Sequence, residues 1–194
     1  MQSKASKYVR TLCECAIMIA LAFALSFVGP EAPMGGRITP ASMLPIFLIA
    51  IRHGVGASLA TGTVYAVLQI FQSLLAGNTF VYVQDDFLLL VSCVLFDYVI
   101  PFILPFAISA LFARFWSKKP LMLTLGITAG MALRFASHYV SGFLIWGQWA
   151  DGMSPYLYSL LYNGGYMLPE AIITAAIAFF LMQSKEVKKL LRIA

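Results

Sequence analysis

The sequence predicts an all-α integral membrane protein with six transmembrane helices. Hydrophobic residues make up 61% of the 194 residues, charged residues only 11%, and the mean hydropathy is +0.86. Soluble domains carry about 25% charged residues, so these values indicate a membrane protein. Because a membrane helix needs about 20 mostly apolar residues, we expect residues 1–194 to form one six-helix domain with no room for a fused ATPase or receptor domain.

Six apolar runs are separated by loops rich in glycine, proline or charge. Gly29-Pro30 ends the first run, because proline lacks an N–H donor and glycine is flexible. The second run is short and stops at residues 52–54, so we expect it to be tilted or seated against neighbouring helices. Pro101 and Pro105 predict a kink in the fourth run, with freed carbonyl groups that need other partners. The runs cover residues 11–28, 41–51, 55–75, 87–115, from the turn at Pro120 to 146, and 156–183.

The basic residues indicate the orientation of these spans. With the N-terminus inside, eleven of the thirteen Lys and Arg fall on the cytoplasmic side, whereas Arg37 faces outward and Arg134 lies within a span. The eleven are Lys4, Lys7, Arg10, Arg52, Arg114, Lys118, Lys119, Lys185, Lys188, Lys189 and Arg192. This positive-inside pattern predicts that both termini are cytoplasmic. The same clusters do not form a patch interleaved with exposed aromatic residues, so we expect no nucleic-acid binding.

Four ionisable residues are left at membrane depth once the spans are drawn. They are Asp97, Arg134, His138 and Glu170. A charge at the centre of a membrane helix costs about 2.5–3.5 kcal/mol, so such residues normally face a cavity or a partner. Arg134 and His138 are four residues apart and share a helix face. Three structural alternatives stay open: an Asp97–Arg134 ion pair, a satisfied buried histidine at 138, and an Arg134–Glu170 pair.

Aromatic and amide side chains cluster near the outer ends of the same helices. They are Tyr98, Trp146, Trp149, Tyr156, Tyr158 and Asn163, and they belong either to a ligand pocket or to the interfacial aromatic belt. The belt is the better interpretation of Trp149 and Tyr156. An acid, an imidazole, an amide and several rings around one pocket would suit a flat, cationic heterocycle. The sequence therefore predicts a binding site for such a solute.

Motifs for catalysis are missing from the sequence. It contains no GxxxxGK[ST] phosphate loop, no GxSxG elbow and no HExxH. Its three cysteines and two histidines lack the spacing of metal ligands, so we expect no metal and no cofactor. These absences favour a binding protein over a small intramembrane enzyme, which is the alternative from another class.

Several segments together resemble a known family. They are Gly35-Gly36, residues 42–49, residues 52–54, residues 96–98 (Phe-Asp-Tyr), residues 133–142, residues 145–146 and residues 158–164. Over nearly its whole length the chain resembles the thiamine-specific S components, the ThiT/YuaJ group, of energy-coupling factor (ECF) vitamin transporters. The resemblance implies a six-helix membrane fold that binds its vitamin near the extracellular side, with the loop after the first helix closing over it.

The resemblance also assigns roles to single residues. The substrate-binding residues that it implies are Asp97 and Tyr98 as the acid–tyrosine pair, His138, Trp146 as a stacking ring, Tyr158 and Asn163. Ala16 and Ala20 match a small-residue strip that contacts the transmembrane coupling subunit, and such strips allow close helix approach. In the loop, some members carry a tryptophan and a glutamate where this chain has Gly36 and Pro40.

The function implied by the resemblance is that of a thiamine-binding S component in the plasma membrane. Such a protein delivers thiamine inward together with a coupling subunit and two ATPase subunits. An S component for another heterocycle, such as a thiamine-precursor pyrimidine or riboflavin, is the alternative within the same class.

Overall fold

A computed structural model describes residues 4–32, 36–77, 79–116 and 119–193 of the chain. Gly35 and Lys118, which entered the family resemblance and the charge pattern, lie outside these residues. The described part is helical apart from turns, loops and one isolated β-bridge between Glu31 and Arg37. Its α-helices are α1 (Lys4–Ser26), α2 (Leu44–His53), α3 (Val55–Ala76), α4 (Phe87–Cys93), α5 (Ile100–Phe115), α6 (Pro120–Leu144), α7 (Pro155–Leu181) and α8 (Lys185–Leu191).

Five spans within the described residues are long and apolar enough to cross a membrane. They are Ala5–Ser26, Val55–Ala76, Phe87–Phe115, Pro120–Leu144 and Pro155–Leu181. The all-helical membrane class predicted from composition is thus confirmed. The predicted second span differs, because α2 has only ten residues and reaches about 15 Å, half of a typical hydrocarbon core.

Helix α2 is seated inside the bundle. It packs against α1, α3 and α5, and most of its side chains are buried, including Ile46 and Phe47. Phe47 meets Phe106 of α5 edge to face, with ring centroids 4.8 Å apart. Only Gly54, at φ 82°, separates α2 from α3. Glycine adopts this left-handed conformation without steric cost, so the chain reverses within one residue.

The span from 87 to 115 contains a π-helical segment, Val94–Val99, between α4 and α5. Pro101 has no N–H to bond the carbonyl four residues earlier, and the backbone widens ahead of it, so that the Ile100 N–H donates to the Leu95 carbonyl. The displaced Phe96 carbonyl accepts a hydrogen bond from the Ser137 hydroxyl of α6 at 2.6 Å. The hydrogen-bonding capacity of the Phe96 carbonyl is therefore satisfied by a neighbouring helix.

Two glycines of α6 allow close helix contacts. A Cβ on Gly130 would lie 2.6 Å from the Pro105 carbonyl oxygen of α5 and 2.9 Å from the Phe47 ring. A Cβ on Gly142 would lie 2.1 Å from the hydroxyl oxygen of Ser159 on α7. Neither distance leaves room for a side chain, so the packing of α6 against both neighbours depends on these glycines.

We predict that Gly130→Ala destabilises the protein although alanine is the better helix former. Alanine favours a helix over glycine by about 1 kcal/mol, but overpacking a core typically costs about 1–3 kcal/mol. Gly165→Ala on α7 is the matched control, since a Cβ there meets nothing within 4 Å. Thermal unfolding in detergent should show a lower midpoint for Gly130→Ala only; equal midpoints would contradict the close approach.

Candidate functional site

One cavity, called the main cavity below, has a volume of about 160 Å³. It lies between α3, the π-helical segment, α6, α7 and the loop that joins α1 to α2. All six residues that the sequence analysis predicted as substrate-binding line it: Asp97, Tyr98, His138, Trp146, Tyr158 and Asn163. They come from three separate stretches of sequence, which the fold brings to one place.

Asp97 contacts two others of these six residues. Its carboxylate is buried and accepts a hydrogen bond from the Trp146 indole N–H at 2.9 Å, and it lies 3.1 Å from Nδ1 of His138. The Cys93 thiol adds a weak contact at 3.6 Å. The alternative in which Asp97 forms an ion pair with Arg134 is wrong, because Arg134 pairs with Glu170 instead.

His138 lines the cavity and uses one ring nitrogen for a contact inside the protein. Because the Asp97 carboxylate accepts at Nδ1, the neutral ring carries its proton there and leaves Nε2 as an acceptor. Nε2 is buried and has no hydrogen-bond partner among the described residues. Buried polar atoms are normally hydrogen-bonded, so this nitrogen is suited to bond the edge of a ligand.

Trp146 follows α6 in a short 3₁₀ turn, Trp146–Trp149. Its indole N–H also lies 3.1 Å from the Ser141 hydroxyl, and its ring packs against Trp149 with centroids 5.6 Å apart. These contacts fix the indole plane beside Asp97. Trp149 and Tyr156 are 37% and 60% exposed, as expected for belt residues.

The remaining predicted residues, Tyr98, Tyr158 and Asn163, are each held by contacts with neighbouring side chains or backbone. Tyr98 stacks on Phe80 with centroids 5.4 Å apart and planes 19° apart, and Tyr158 stacks on Tyr162 at 5.8 Å and 14°. The Asn163 amide donates to the His138 carbonyl at 3.1 Å and accepts from the Tyr166 hydroxyl at 3.0 Å. Asn163 therefore links α7 to the backbone of α6 at His138.

A buried ion pair closes one side of the cavity. Nη1 of Arg134 lies 2.5 Å from Glu170, which confirms the pairing that the sequence analysis had considered. The hydroxyl groups of Thr39 and Ser42, from the loop before α2, also donate to the Glu170 carboxylate. The guanidinium lies over the Phe102 ring, 5.2 Å from its centroid.

The loop between α1 and α2 forms another wall. The Gly36 N–H donates to the Tyr162 hydroxyl at 3.1 Å, and a Cβ on Gly36 would lie 2.8 Å from the Tyr166 ring. Glycine at this position lets the loop backbone press against α7. At Gly36 the loop therefore contributes backbone to the cavity wall.

Sequence reasoning missed one face of the cavity, which α3 supplies. Tyr65, Gln69 and Gln72 all line the cavity, and their spacing of four and three residues is that of a single helix face. Gln72 also accepts from the Ser26 hydroxyl at 3.0 Å. The signal was available in the sequence as a polar stripe on an otherwise apolar helix. Among the described residues, no group of three or more His, Cys, Asp or Glu could hold a metal ion.

Comparisons with known proteins place this chain in a family. The model of the thiamine transporter protein family (Thia_YuaJ) matches residues 12–190. The chain is 34% identical over 192 residues to the thiamine transporter ThiT of Bacillus subtilis strain 168, covering 92% of this chain and 93% of that protein. It is 24% identical over 185 residues to the thiamine transporter ThiT of Lacticaseibacillus paracasei, covering 91% and 88%.

A solved structure shows the same fold. The structure of ThiT from Listeria monocytogenes superposes with a TM-score of 0.68 at 26% identity, covering 95% of this chain and 98% of that chain. The relatives are named for transport and not for catalysis, which argues against the enzyme alternative. With five span-length helices and a family match over nearly the whole sequence, the chain is a multi-pass membrane protein that belongs to the thiamine transporter protein family.

Proposed function

We propose that this protein is the thiamine-binding S component of an ECF importer. The observation that carries the proposal is the buried Asp97 carboxylate, which the Trp146 indole and the His138 imidazole hold in a cavity lined by aromatic rings. Thiamine joins an aminopyrimidine to a positively charged thiazolium, so it is cationic and each of its two rings is flat and aromatic. A carboxylate that pairs with no Lys or Arg among the described residues is the complement of such a ligand.

Each residue of the proposed site has a distinct part. Asp97 offsets the positive charge, and the Trp146 and Tyr158 rings stack on the heterocycle, where aromatic faces attract cations. Nε2 of His138 accepts a hydrogen bond from the ligand edge. Tyr98 adds a further aromatic wall, while Asn163 holds the backbone of His138 and offers its amide oxygen.

The topology of the proposal has six helices with both termini in the cytoplasm. The count of six includes the short α2, which packs against α1, α3 and α5. The support is the distribution of Lys and Arg, eleven of thirteen of which fall on one side. In this orientation the main cavity belongs to the extracellular half of the bundle, where thiamine arrives.

The energy source in this proposal is a separate coupling subunit with two ATPase subunits. The sequence has no phosphate loop of its own. Helix α1 exposes Ala16 and Ala20, one turn apart, and small residues let another helix pack closely. This strip is the proposed contact with the coupling subunit.

The substrate can be tested against its nearest rivals. Purified protein is titrated with thiamine, hydroxymethylpyrimidine and riboflavin while tryptophan fluorescence is followed. We expect thiamine to bind tightest, because only thiamine combines the pyrimidine with a fixed positive charge for Asp97. Tighter binding of either rival would reassign the substrate.

We predict that Asp97→Asn weakens thiamine binding by more than tenfold. Removing one member of a buried charge pair typically costs about 2–5 kcal/mol, and about 1.4 kcal/mol corresponds to a tenfold change in affinity. Asp151→Asn is the control, because Asp151 is exposed in a turn and does not line the cavity. Isothermal titration calorimetry on both variants checks this. Equal affinities, or loss of folded Asp97→Asn protein on gel filtration, would assign Asp97 a structural role.

We predict that thiamine quenches the fluorescence of Trp146. A heterocycle stacked on the indole perturbs its emission, so Trp146→Phe should remove most of the signal change. Trp116→Phe is the matched control, since Trp116 is 65% exposed and lies outside the cavity. If quenching survives unchanged in Trp146→Phe, the ring does not stack on the ligand.

We predict that replacing both Ala16 and Ala20 by Trp abolishes transport but not binding. The added bulk prevents close packing of a partner helix, whereas the main cavity is untouched. Ala132 and Ala136 of α6 are also exposed and four residues apart, so replacing both by Trp is the matched control. Thiamine affinity should stay near wild type in both double variants. Co-purification with the coupling subunit and ATP-dependent uptake into vesicles should fail only for the α1 variant; normal uptake there would refute the docking strip.

A further inference from the structure

A second cavity lies at the opposite end of α1 from the main cavity. Ser26, the last residue of α1, lines the main cavity, whereas Arg10 lines the second one. Sixteen residues separate them, which corresponds to about 24 Å along a helix. The second cavity, named the basic cavity below, is lined by Arg10, Arg52, Glu186, Lys189, Leu190 and Arg192. It is formed where α1, α2 and the C-terminal α8 meet.

Arg52 is built into this end of the fold. Its side chain is only 9% exposed. One terminal nitrogen donates to the Leu190 carbonyl at 2.6 Å and the other to Glu14 at 2.8 Å. Its Nε is buried and has no hydrogen-bond partner within the described part of the chain. Arg52 is thus held in place, unlike a flexible surface side chain, and its Nε donor is available to a further acceptor.

Positive charge exceeds negative charge around the basic cavity. The Glu14 carboxylate is shared between Arg10 at 3.0 Å, Arg52 at 2.8 Å and His53 at 2.8 Å. One carboxylate cannot neutralise two guanidinium groups, and Lys189 and Arg192 add two more cations. Glu186 is the one acid among the residues that line the cavity. The site therefore attracts an anion.

We propose that the basic cavity binds the phosphate group of an anionic phospholipid. Guanidinium groups match phosphate geometry with paired hydrogen bonds, and basic pockets between helices bind acidic lipid headgroups. The position of the basic cavity favours a lipid over a soluble phosphate, because the apolar surface of α1 begins directly after Arg10. Leu12 is 63% and Ile17 66% exposed there. A phosphate held by Arg10 and Lys189 leaves its acyl chains beside these residues.

The test compares lipids on the full-length protein. Native mass spectrometry of the protein in detergent measures adducts with phosphatidylglycerol and with phosphatidylcholine of the same acyl chains. We expect a single phosphatidylglycerol adduct that forms at lower lipid concentration than the phosphatidylcholine adduct. One cation near a membrane surface contributes about 1 kcal/mol, so Lys189→Gln should weaken the phosphatidylglycerol adduct about fivefold.

The matched control is Lys185→Gln. Lys185 lies four residues earlier on α8, is exposed and does not line the cavity, so its replacement should leave the adduct unchanged. Arg10→Gln is a second variant, expected to act like Lys189→Gln, and it covers the case in which Lys189→Gln fails to fold. Thiamine titration of the same samples should be unaffected, so this inference and the proposed function can fail separately.

Three outcomes would overturn the inference. Equal losses in Lys185→Gln and Lys189→Gln would show that diffuse charge attracts the lipid. Displacement of the lipid by inorganic phosphate at matching concentration would identify a site for soluble phosphate groups. Unchanged lipid adducts in Lys189→Gln and Arg10→Gln, with loss of the coupling subunit on co-purification, would identify a protein interface.

Discussion

Compensation of buried carboxylates is the constraint on which the main cavity depends. Two carboxylates are buried in the bundle, and an ion taken out of water is costly unless it is paired. Glu170 is compensated by the Arg134 guanidinium and by two hydroxyls. Asp97 receives an indole N–H and faces an imidazole. The first carboxylate is thereby neutralised within the protein. The second pairs with no Lys or Arg among the described residues, and it lines the main cavity.

The backbone brings Asp97 to this position by irregular means. The π-helical segment ahead of Pro101 places Asp97 and Tyr98 among the buried residues and leaves the Phe96 carbonyl for Ser137 of α6. Single-turn π segments recur at functional sites, where they depart from regular helix geometry. Gly142 then lets α7 approach so closely that Asn163 bonds the His138 carbonyl. Irregularity in one helix places Asp97 at the imidazole, and a missing side chain in another lets α7 hold the backbone of His138.

The sequence predicted much of this arrangement, and the failures have physical causes. The positions of Asp97, Arg134, His138 and Glu170 stood out because charge is rare at membrane depth. Their partners could not be assigned, since Arg134 lies one turn from His138 and spacing alone does not decide which acid it meets. The π segment was also missed, because proline pairs predict a lost hydrogen bond but not how the backbone absorbs it. The α3 face was not predicted, because glutamine and tyrosine carry no formal charge and therefore do not stand out in an apolar helix.

Helix α1 is the element through which docking and binding can be linked. At its last residue, Ser26 donates to Gln72, which lines the main cavity. Near its start, Glu14 holds Arg52 of α2, and Arg52 in turn holds the backbone of α8. Between these two anchors α1 exposes the strip with Ala16 and Ala20. In the proposed function, a helix that packs on this strip contacts an element that is bonded to the main cavity at one end and to the basic cavity at the other. Chains of contacts of this kind carry coupling between distant sites when the element has two arrangements.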